Sequence, residues 1–325
     1  MKHRCAIFTD VGTTNTRVWL VLDGQVLAGA QAQVGVRDTA RVGNNRKLRE
    51  TLKLLIDAAV AEGGAEPTVF VAAGMIGSAS GLAEVPHVPA PAGVAQLAAG
   101  TRRFAFPDVT PLPILIVPGV RTGALMGDPD SVCDADVMRG EETLCMGLLP
   151  IGALSPPAAV LNLGSHWKAI RVDAGGRVVG SATTLSGEMI HAVQSGTILA
   201  SAVPQGRPAA LDEAWVLRGM REQRRSGLAR AMFCVRLHEL AGGGNAEQRM
   251  AFLVGAFIAA DLDTVMSCVE APVLIVGSGA VPAAWRAALA RAGVKASVVP
   301  EPQAEAALRA GLARVLDTCV YHQLV

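Results

Sequence analysis

The sequence predicts a two-domain α/β protein built from a duplicated unit. Two observations predict it. Strand-like runs alternate with Ala/Leu-rich helical stretches along the chain, and the pattern that opens at residue 5 returns at residue 158. Length agrees, since 325 residues can bury large cores without disulfide or metal staples.

Taken in order, "CAIFTD", "RVWLVLD" and "QVLAGAQ" read as a β-meander with a turn at Asp23-Gly24. Residues 46–62, "RKLRETLKLLIDAAVAE", carry apolar side chains at helical spacing, and "PTVFVAAG" reads as a buried strand ending at Gly74. "PILIVPG" is another strand. Residues 121–139, rich in Gly, Asp and Pro, read as a connection. "RGEETLCMGLL" then reads as a helix with Glu141 and Glu142 in its first turn, where the positive end of the helix dipole favours acids.

"AAVLNLGSHWKAIRVDAGGRVVG", residues 158–180, repeats the opening as strand, glycine, polar residues, strand, glycine turn and strand. Aligning Gly12 with Gly164 sets Asp10 against Asn162, Thr13 against Ser165 and Gly24 against Gly176, because both glycine intervals span twelve residues. Further on, "APVLIVGSGAVPAAWRAALARAG" reads as a buried strand, a Gly277-Ser278-Gly279 turn and a helix, and "EPQAEAALRAGLARVL" as a closing amphipathic helix.

Composition removes several functions. The longest apolar runs, "PILIV" and "AFLVGAFIAA", fall short of the roughly 20 residues of a membrane span, so no membrane partner is expected. The start reaches a charged strand end too soon for a secretory segment, which makes the cytoplasm the expected address. Six scattered cysteines without a C-x-x-C pair suggest buried thiols. A net charge of +1 with 4% aromatics leaves no footprint for nucleic acid, so the expected partner is a small molecule.

The chemistry concentrates in the two hairpin turns. Gly12, Thr13, Thr14 and Asn15 in one copy, and Gly164, Ser165 and His166 in the other, bring hydroxyls, polar side chains and backbone N–H groups to a turn where glycine permits close approach. Such turns can grip a polyphosphate, and Asp10 at the strand end could hold Mg²⁺; an ordinary polar hairpin has the same residues. Arg17 has the forked donor that suits a phosphate or a carboxylate. Lys168 offers a point charge or is simply exposed. His166 either meets a ligand or fixes its loop.

The blocks "DVGTTNTRVW", "AAGMIGS", "VPAPAG", "VPG", "VMRGEET", "GSHWK" and "LSGE" follow one another over most of residues 5–190. In that order they resemble the signature blocks of 2-keto-3-deoxygalactonate kinases, within the sugar kinase, heat-shock and actin superfamily. Two departures stand out: Val11 replaces the family's Trp, and Trp167 precedes Lys168 where the family has Trp after the lysine.

The resemblance implies two duplicated ribonuclease H-like, actin-type domains with a cleft between them. Residues 1–120 would hold the sugar-acid side and the first phosphate hairpin. Residues 121–325 would hold the second hairpin and an adenosine site at Gly277, Ser278 and Gly279. It implies ATP and Mg²⁺ as cofactors, with Asp10 on the metal and phosphate contacts from Gly12, Thr13, Thr14, Asn15, Arg17, Gly164, Ser165, His166 and Lys168. A sugar acid would meet Gly74, Met75, Ile76, Gly77, Ser78, Arg139 and Glu188. The implied reaction is phosphorylation of 2-keto-3-deoxygalactonate at its terminal C6 hydroxyl. Glu142 is the favoured base, ahead of Glu141 and Asp10, although both glutamates also read as plain helix-terminal charges. A kinase for another sugar acid, or an inactive ATP- or sugar-binding regulator, are the alternatives. A homodimer is compatible with the sequence.

Overall fold

The computed structural model describes residues 5–124, 129–269 and 272–321. The run "CAIFTDV" is buried at six of its seven positions and forms β1 (Cys5–Val11), a central strand. It pairs antiparallel with β2 (Thr16–Leu22), which in turn pairs antiparallel with β3 (Gln25–Ala32). Two helices follow, α1 (Val36–Val42) and α2 (Arg46–Gly63). The buried residues of α2 are Leu48, Leu52, Leu55, Ile56 and Ala59, the stripe that its helical spacing presents to one side. β4 (Val69–Gly74) then returns parallel to β1.

After β5 (Val88–Pro89) and α3 (Val94–Gly100) come β6 (Arg102–Phe106) and β7 (Thr110–Ile116), which complete a sheet of order β3-β2-β1-β4-β7-β6. Residues 121–139, expected as a bare connection, instead contain most of β8 (Val120–Thr122) and all of α4 (Pro129–Val132) and β9 (Asp136–Met138). β5, β8 and β9 make a separate three-stranded sheet. Residues 125–128 of that segment lie outside the described residues. The acid-bearing helix is α5 (Glu141–Leu148), where the sequence places it.

The second copy begins with β10 (Ala158–Leu163), antiparallel to β11 (Trp167–Val172), with β12 (Val178–Thr184) beside it. Helices α6 (Ser186–Gly196), α7 (Glu213–Ser226), α8 (Leu228–Leu240) and α9 (Ala246–Ser267) precede β13 (Val273–Gly277), which lies parallel to β10. α10 (Val281–Arg291), β14 (Ala296–Val298) and α11 (Glu301–Tyr321) close the chain. The sheet order β12-β11-β10-β13-β14 repeats β3-β2-β1-β4-β7, so both copies have the ribonuclease H-like arrangement.

The chain divides into two compact units, and not at residue 120. The first takes residues 1–155, 175–179 and 304–325; the second takes 156–174 and 180–303. α11, expected with the C-terminal half, therefore belongs mostly to the first unit. Glycine explains its seat: a Cβ on Gly147 of α5 would lie 1.6 Å from Ala307 O, and one on Gly311 of α11 would lie 2.0 Å from Thr143 O. The two backbones touch, and Arg314 Nη1 donates to Met146 O at 2.8 Å.

α9 is long and apolar enough to cross a membrane by length and composition, contrary to the estimate from its longest uninterrupted apolar run. In the fold it is the core helix of the second unit. Phe252, Leu253, Val254, Phe257 and Ile258 are each no more than 2% exposed and join one core with Trp215, Trp285 and the strand residues of β10 and β13.

Candidate active site

Three backbone features converge on Asp10 in the first unit. Asp10 lies directly opposite Arg17 across the β1–β2 pair and beside Ala73 of β4. β4 ends at Gly74, whose φ of 85° and ψ of −153° suit glycine alone; a Cβ there would sit 2.5 Å from Val11 O and 3.0 Å from Asp10 Oδ1. Gly140, with φ 103°, begins α5, and a Cβ on it would lie 3.3 Å from Gly74 Cα and 3.8 Å from Asp10 Oδ1. The start of the acid helix is thereby placed against Asp10.

Burial raises the Asp10 carboxyl to about 6; Arg17 opposes the rise, while Glu141 and Glu305 add to it. Glu305 comes from α11, with Oε1 3.9 Å from Arg17 Nη1 and Oε2 3.8 Å from Arg309 Nη1. The Arg309 guanidinium stacks over the Trp19 ring, 5.5 Å from its centroid. No sequence signal places Glu305 here, because it lies almost three hundred residues from Asp10 on a helix read only as amphipathic.

The two glutamates have different surroundings. Glu141 is half-buried and accepts from the Arg139 backbone N–H at 3.1 Å. Glu142 is 1% exposed; both its oxygens accept from Gly140 N–H at 2.9 Å, and the Thr143 hydroxyl donates to it at 3.0 Å. Burial first, and Glu141 second, push its carboxyl up to about 7 against those bonds. Glu142 closes the helix N-terminus from inside, whereas Glu141 is the less buried of the two.

The expected sugar-acid loop has a mixed outcome. Gly74, Met75, Gly77 and Ser78 form the turn after β4, with a 3-10 turn over Met75–Gly77 and the Ser78 hydroxyl donating to Met75 O at 2.7 Å. Ile76 is wholly buried in the core of the first unit, so its side chain is not available to a ligand. Arg139 is also largely committed. Its Nη2 donates to Val85 O at 2.7 Å and lies 3.5 Å from His87 Nδ1, while Nη1 is buried beside Gly77 without a hydrogen-bond partner. Burial lowers the proton affinity of this guanidinium, opposed by Glu142 and Glu84.

Each hairpin turn is backed by a helix start. In the first unit, Val36 and Arg37 N–H donate to the Gly12 and Thr13 carbonyls at 3.2 and 3.0 Å, and a Cβ on Gly35 would lie 2.5 Å from Thr13 O. In the turn itself, Asn15 Nδ2 donates to Thr14 Oγ1 at 2.9 Å. In the second unit, Glu188 N–H donates to Ser165 O at 2.6 Å, and a Cβ on Gly187 would lie 2.3 Å from Gly164 O. His166 Nε2 lies 3.2 Å from Glu188 Oε2, so Glu188 meets the second turn. Lys168 is not the exposed point charge the sequence allows: it is 3% exposed, and Nζ donates to the Thr183 hydroxyl.

Gly277 ends β13, with its Cβ position 2.9 Å from Leu163 Cβ, and Gly279 follows at φ 70°. Arg207 Nη1 donates to Ser278 Oγ, and Ala280 N–H donates to Pro208 O at 3.3 Å. Those two residues also line a cavity of about 790 Å³, formed by residues 204–214 with Asn245, Glu247 and Gln248. The segment 204–212 that leads into α7 carries no sequence motif that marks it.

Comparison with known proteins decides the family. The family model for 2-keto-3-deoxy-galactonokinase matches residues 10–315. The chain belongs to the 2-keto-3-deoxy-galactonokinase family. It is thus a sugar kinase. A probable 2-dehydro-3-deoxygalactonokinase of Rhizobium meliloti is 32% identical over 310 residues, covering 93% of this chain and 94% of that protein. The 2-dehydro-3-deoxygalactonokinase of Escherichia coli is 26% identical over 257 residues, 79% of this chain and 78% of its own length. Among solved structures, a Sinorhizobium meliloti protein assigned as a 2-dehydro-3-deoxygalactonokinase superposes with TM-score 0.77 at 26% identity, covering 96% of this chain and 95% of its own. The activator of 2-hydroxyisocaproyl-CoA dehydratase from Clostridium difficile, solved with bound ADPNP, shares the fold at TM-score 0.53 and 13% identity, over 99% of this chain and 98% of its own.

Proposed function

We propose that this kinase transfers the γ-phosphoryl group of ATP to the terminal C6 hydroxyl of 2-keto-3-deoxygalactonate, a step of galactonate and galactose catabolism. The observation that carries the reading is the half-buried carboxylate of Asp10 at the meeting point of β1, β4 and α5, within a family-wide match. The donor chemistry fits magnesium. Burial raises Asp10 and repulsion from Glu141 and Glu305 adds to the rise, and a divalent cation bound by one carboxylate and the phosphates would offset both. Asp10 would hold the ion, which supplies neutralisation of phosphate charge.

Glu141 serves as the base in this reading, because it is the helix-terminal carboxylate that a hydroxyl can reach. It takes the C6 proton as that oxygen bonds to the γ-phosphorus and the bond to the β-phosphate oxygen breaks, releasing ADP. Glu142 holds the helix end that carries Glu141. Arg17, partly exposed and opposite Asp10, meets phosphate. The Gly74–Ser78 turn offers its backbone to the sugar acid, with Arg139 shaping it from behind. In the second unit the Gly164–His166 turn takes phosphate, and the cavity beside Ser278 takes the adenosine. The thiols of all six cysteines are free, which suits a reducing, cytoplasmic address.

A coupled ADP-release assay over a panel of ketodeoxy sugar acids and simple hexoses tests the reading. Turnover is expected with 2-keto-3-deoxygalactonate and at least tenfold less with its epimers. Turnover with hexoses alone overturns it, and no ADP release with any acceptor would make the protein a sensor.

A further inference from the structure

One buried carboxylate of the second unit has no part in the chemistry above. Asp261, on α9, is 7% exposed, and its Oδ2 accepts from the Thr184 hydroxyl at 2.6 Å. The Ser186 hydroxyl donates to the same carboxylate. Thr184 ends β12 and Ser186 begins α6, while Leu185 between them is 56% exposed. The two hydroxyls on either side of an outward-facing residue are therefore gathered onto a single acid beneath the strand-to-helix junction.

That junction is the backing of the second hairpin turn. The residue after Ser186 is Gly187, pressed so closely on the turn that a Cβ would stand 2.3 Å from Gly164 O and 2.7 Å from Ser165 O. The next is Glu188, whose N–H holds Ser165 O at 2.6 Å and whose carboxylate faces His166. From Asp261 to the turn there are only short polar bonds and backbone contacts, with no flexible side chain to absorb a shift. A buried acceptor of this kind also enforces its geometry, since removing it leaves the buried Ser186 hydroxyl and the half-buried Thr184 hydroxyl without their acceptor.

We propose that Asp261 is a positioning residue for nucleotide binding: it fixes the start of α6, and through Gly187 and Glu188 it fixes the Gly164–His166 turn in the conformation that meets phosphate. The inference rests on the reading of that turn as a phosphate contact. Asp261 itself stays behind the junction and touches no ligand.

The test is calorimetric binding of ATP with magnesium, alongside kinetics for both substrates, on the full chain and on Asp261→Ala, Asp261→Asn and Thr184→Val. Asp261→Ala is expected to weaken nucleotide binding about tenfold while the KM for the sugar acid stays within about twofold. Asp261→Asn, which keeps one carbonyl acceptor, should recover most of the loss, and Thr184→Val should lie between. A purely structural acid would lower the melting temperature and leave the two affinities in their original ratio, and that result overturns the inference. Unaltered nucleotide affinity in both Asp261→Ala and Thr184→Val overturns it as well. If the parent chain itself binds no nucleotide, the phosphate reading of the turn is what has failed, and the role of Asp261 goes with it.

Discussion

The two hairpins of this kinase occupy the same place in duplicated sheets and carry different charges. In the first, Asp10 stands directly opposite Arg17; in the second, Asn162 stands directly opposite Lys168. The first pair is partly open and crowded by further charges from α5 and α11, whereas Lys168 is buried and bonded to Thr183. Both turns are held from behind by a helix start with a glycine that no other residue could replace without movement, Gly35 in one copy and Gly187 in the other. Duplication thus kept the backbone device that shapes a turn and divided the charges. In the proposed reading the copy with an acid serves proton and metal chemistry, while Asn162 in the other copy brings no negative charge against a phosphate.

Breaking the acid copy should give the largest effects. Glu141→Gln is expected to lower kcat by about 10²–10⁴ with little change in ATP affinity, the range for loss of a positioned base. Steady-state kinetics with both substrates checks it, and equal turnover by the variant would return the role to Glu142 or Asp10. Asp10→Asn makes the first strand end resemble the second. It should cost about a hundredfold or more in turnover and raise the magnesium concentration needed for half-maximal rate, because metal positioning in phosphoryl transfer is mainly electrostatic. A magnesium titration that superimposes on the parent's would remove Asp10 from the metal.

Glu142→Gln should act on stability more than on chemistry. In the fold the Glu142 carboxyl is raised from 4.5 to about 7, so the native state holds a proton that the unfolded chain releases at lower pH. Its contribution is fully present below about 4.5 and is lost as the pH rises through 7, a swing of up to about 3 kcal/mol for a group buried this deeply. Denaturant melts of parent and variant below and above that window should converge at low pH and separate at high pH, with the glutamine form the more stable. A constant difference across the window would mean that Glu142 does not titrate there.

Much of this arrangement was legible in the sequence, and the exceptions have physical causes. The β-meanders, the acid helix and the repeated order of strands follow from local periodicity and glycine placement. The sequence also aligned the copies on two glycine intervals of twelve residues, which concealed a register difference. The first turn uses four residues, Gly12 to Asn15, and the second three, Gly164 to His166, so Lys168 and not Ala169 is the counterpart of Arg17. A one-residue slip reverses the facing of every side chain in a strand, and spacing alone cannot detect it when a longer second turn restores the count. Glu305 and the return of α11 to the first unit were invisible because contacts across most of the chain leave no local pattern. The burial of Glu142 is equally tertiary, since Glu141 and Glu142 are chemically alike until α5 is docked.

The register difference leads to the smallest and most discriminating expectation. Arg17 and Lys168 are structural counterparts, and both looked like phosphate ligands in the sequence. Arg17→Met removes a partly exposed guanidinium beside Asp10 and should weaken ATP binding and turnover by about tenfold or more, since a charge-assisted contact to phosphate is lost. Lys168→Met keeps nearly the same length in a buried site but removes the donor to the Thr183 hydroxyl, so its cost should fall mainly on stability, about 1–3 kcal/mol, with nucleotide affinity changed by less than about threefold. Measured side by side, unequal losses support a division of labour between the copies, with the second turn acting through its backbone. If Lys168→Met loses as much affinity as Arg17→Met, the buried lysine acts on the phosphates after all, and the two hairpins are functional as well as structural repeats.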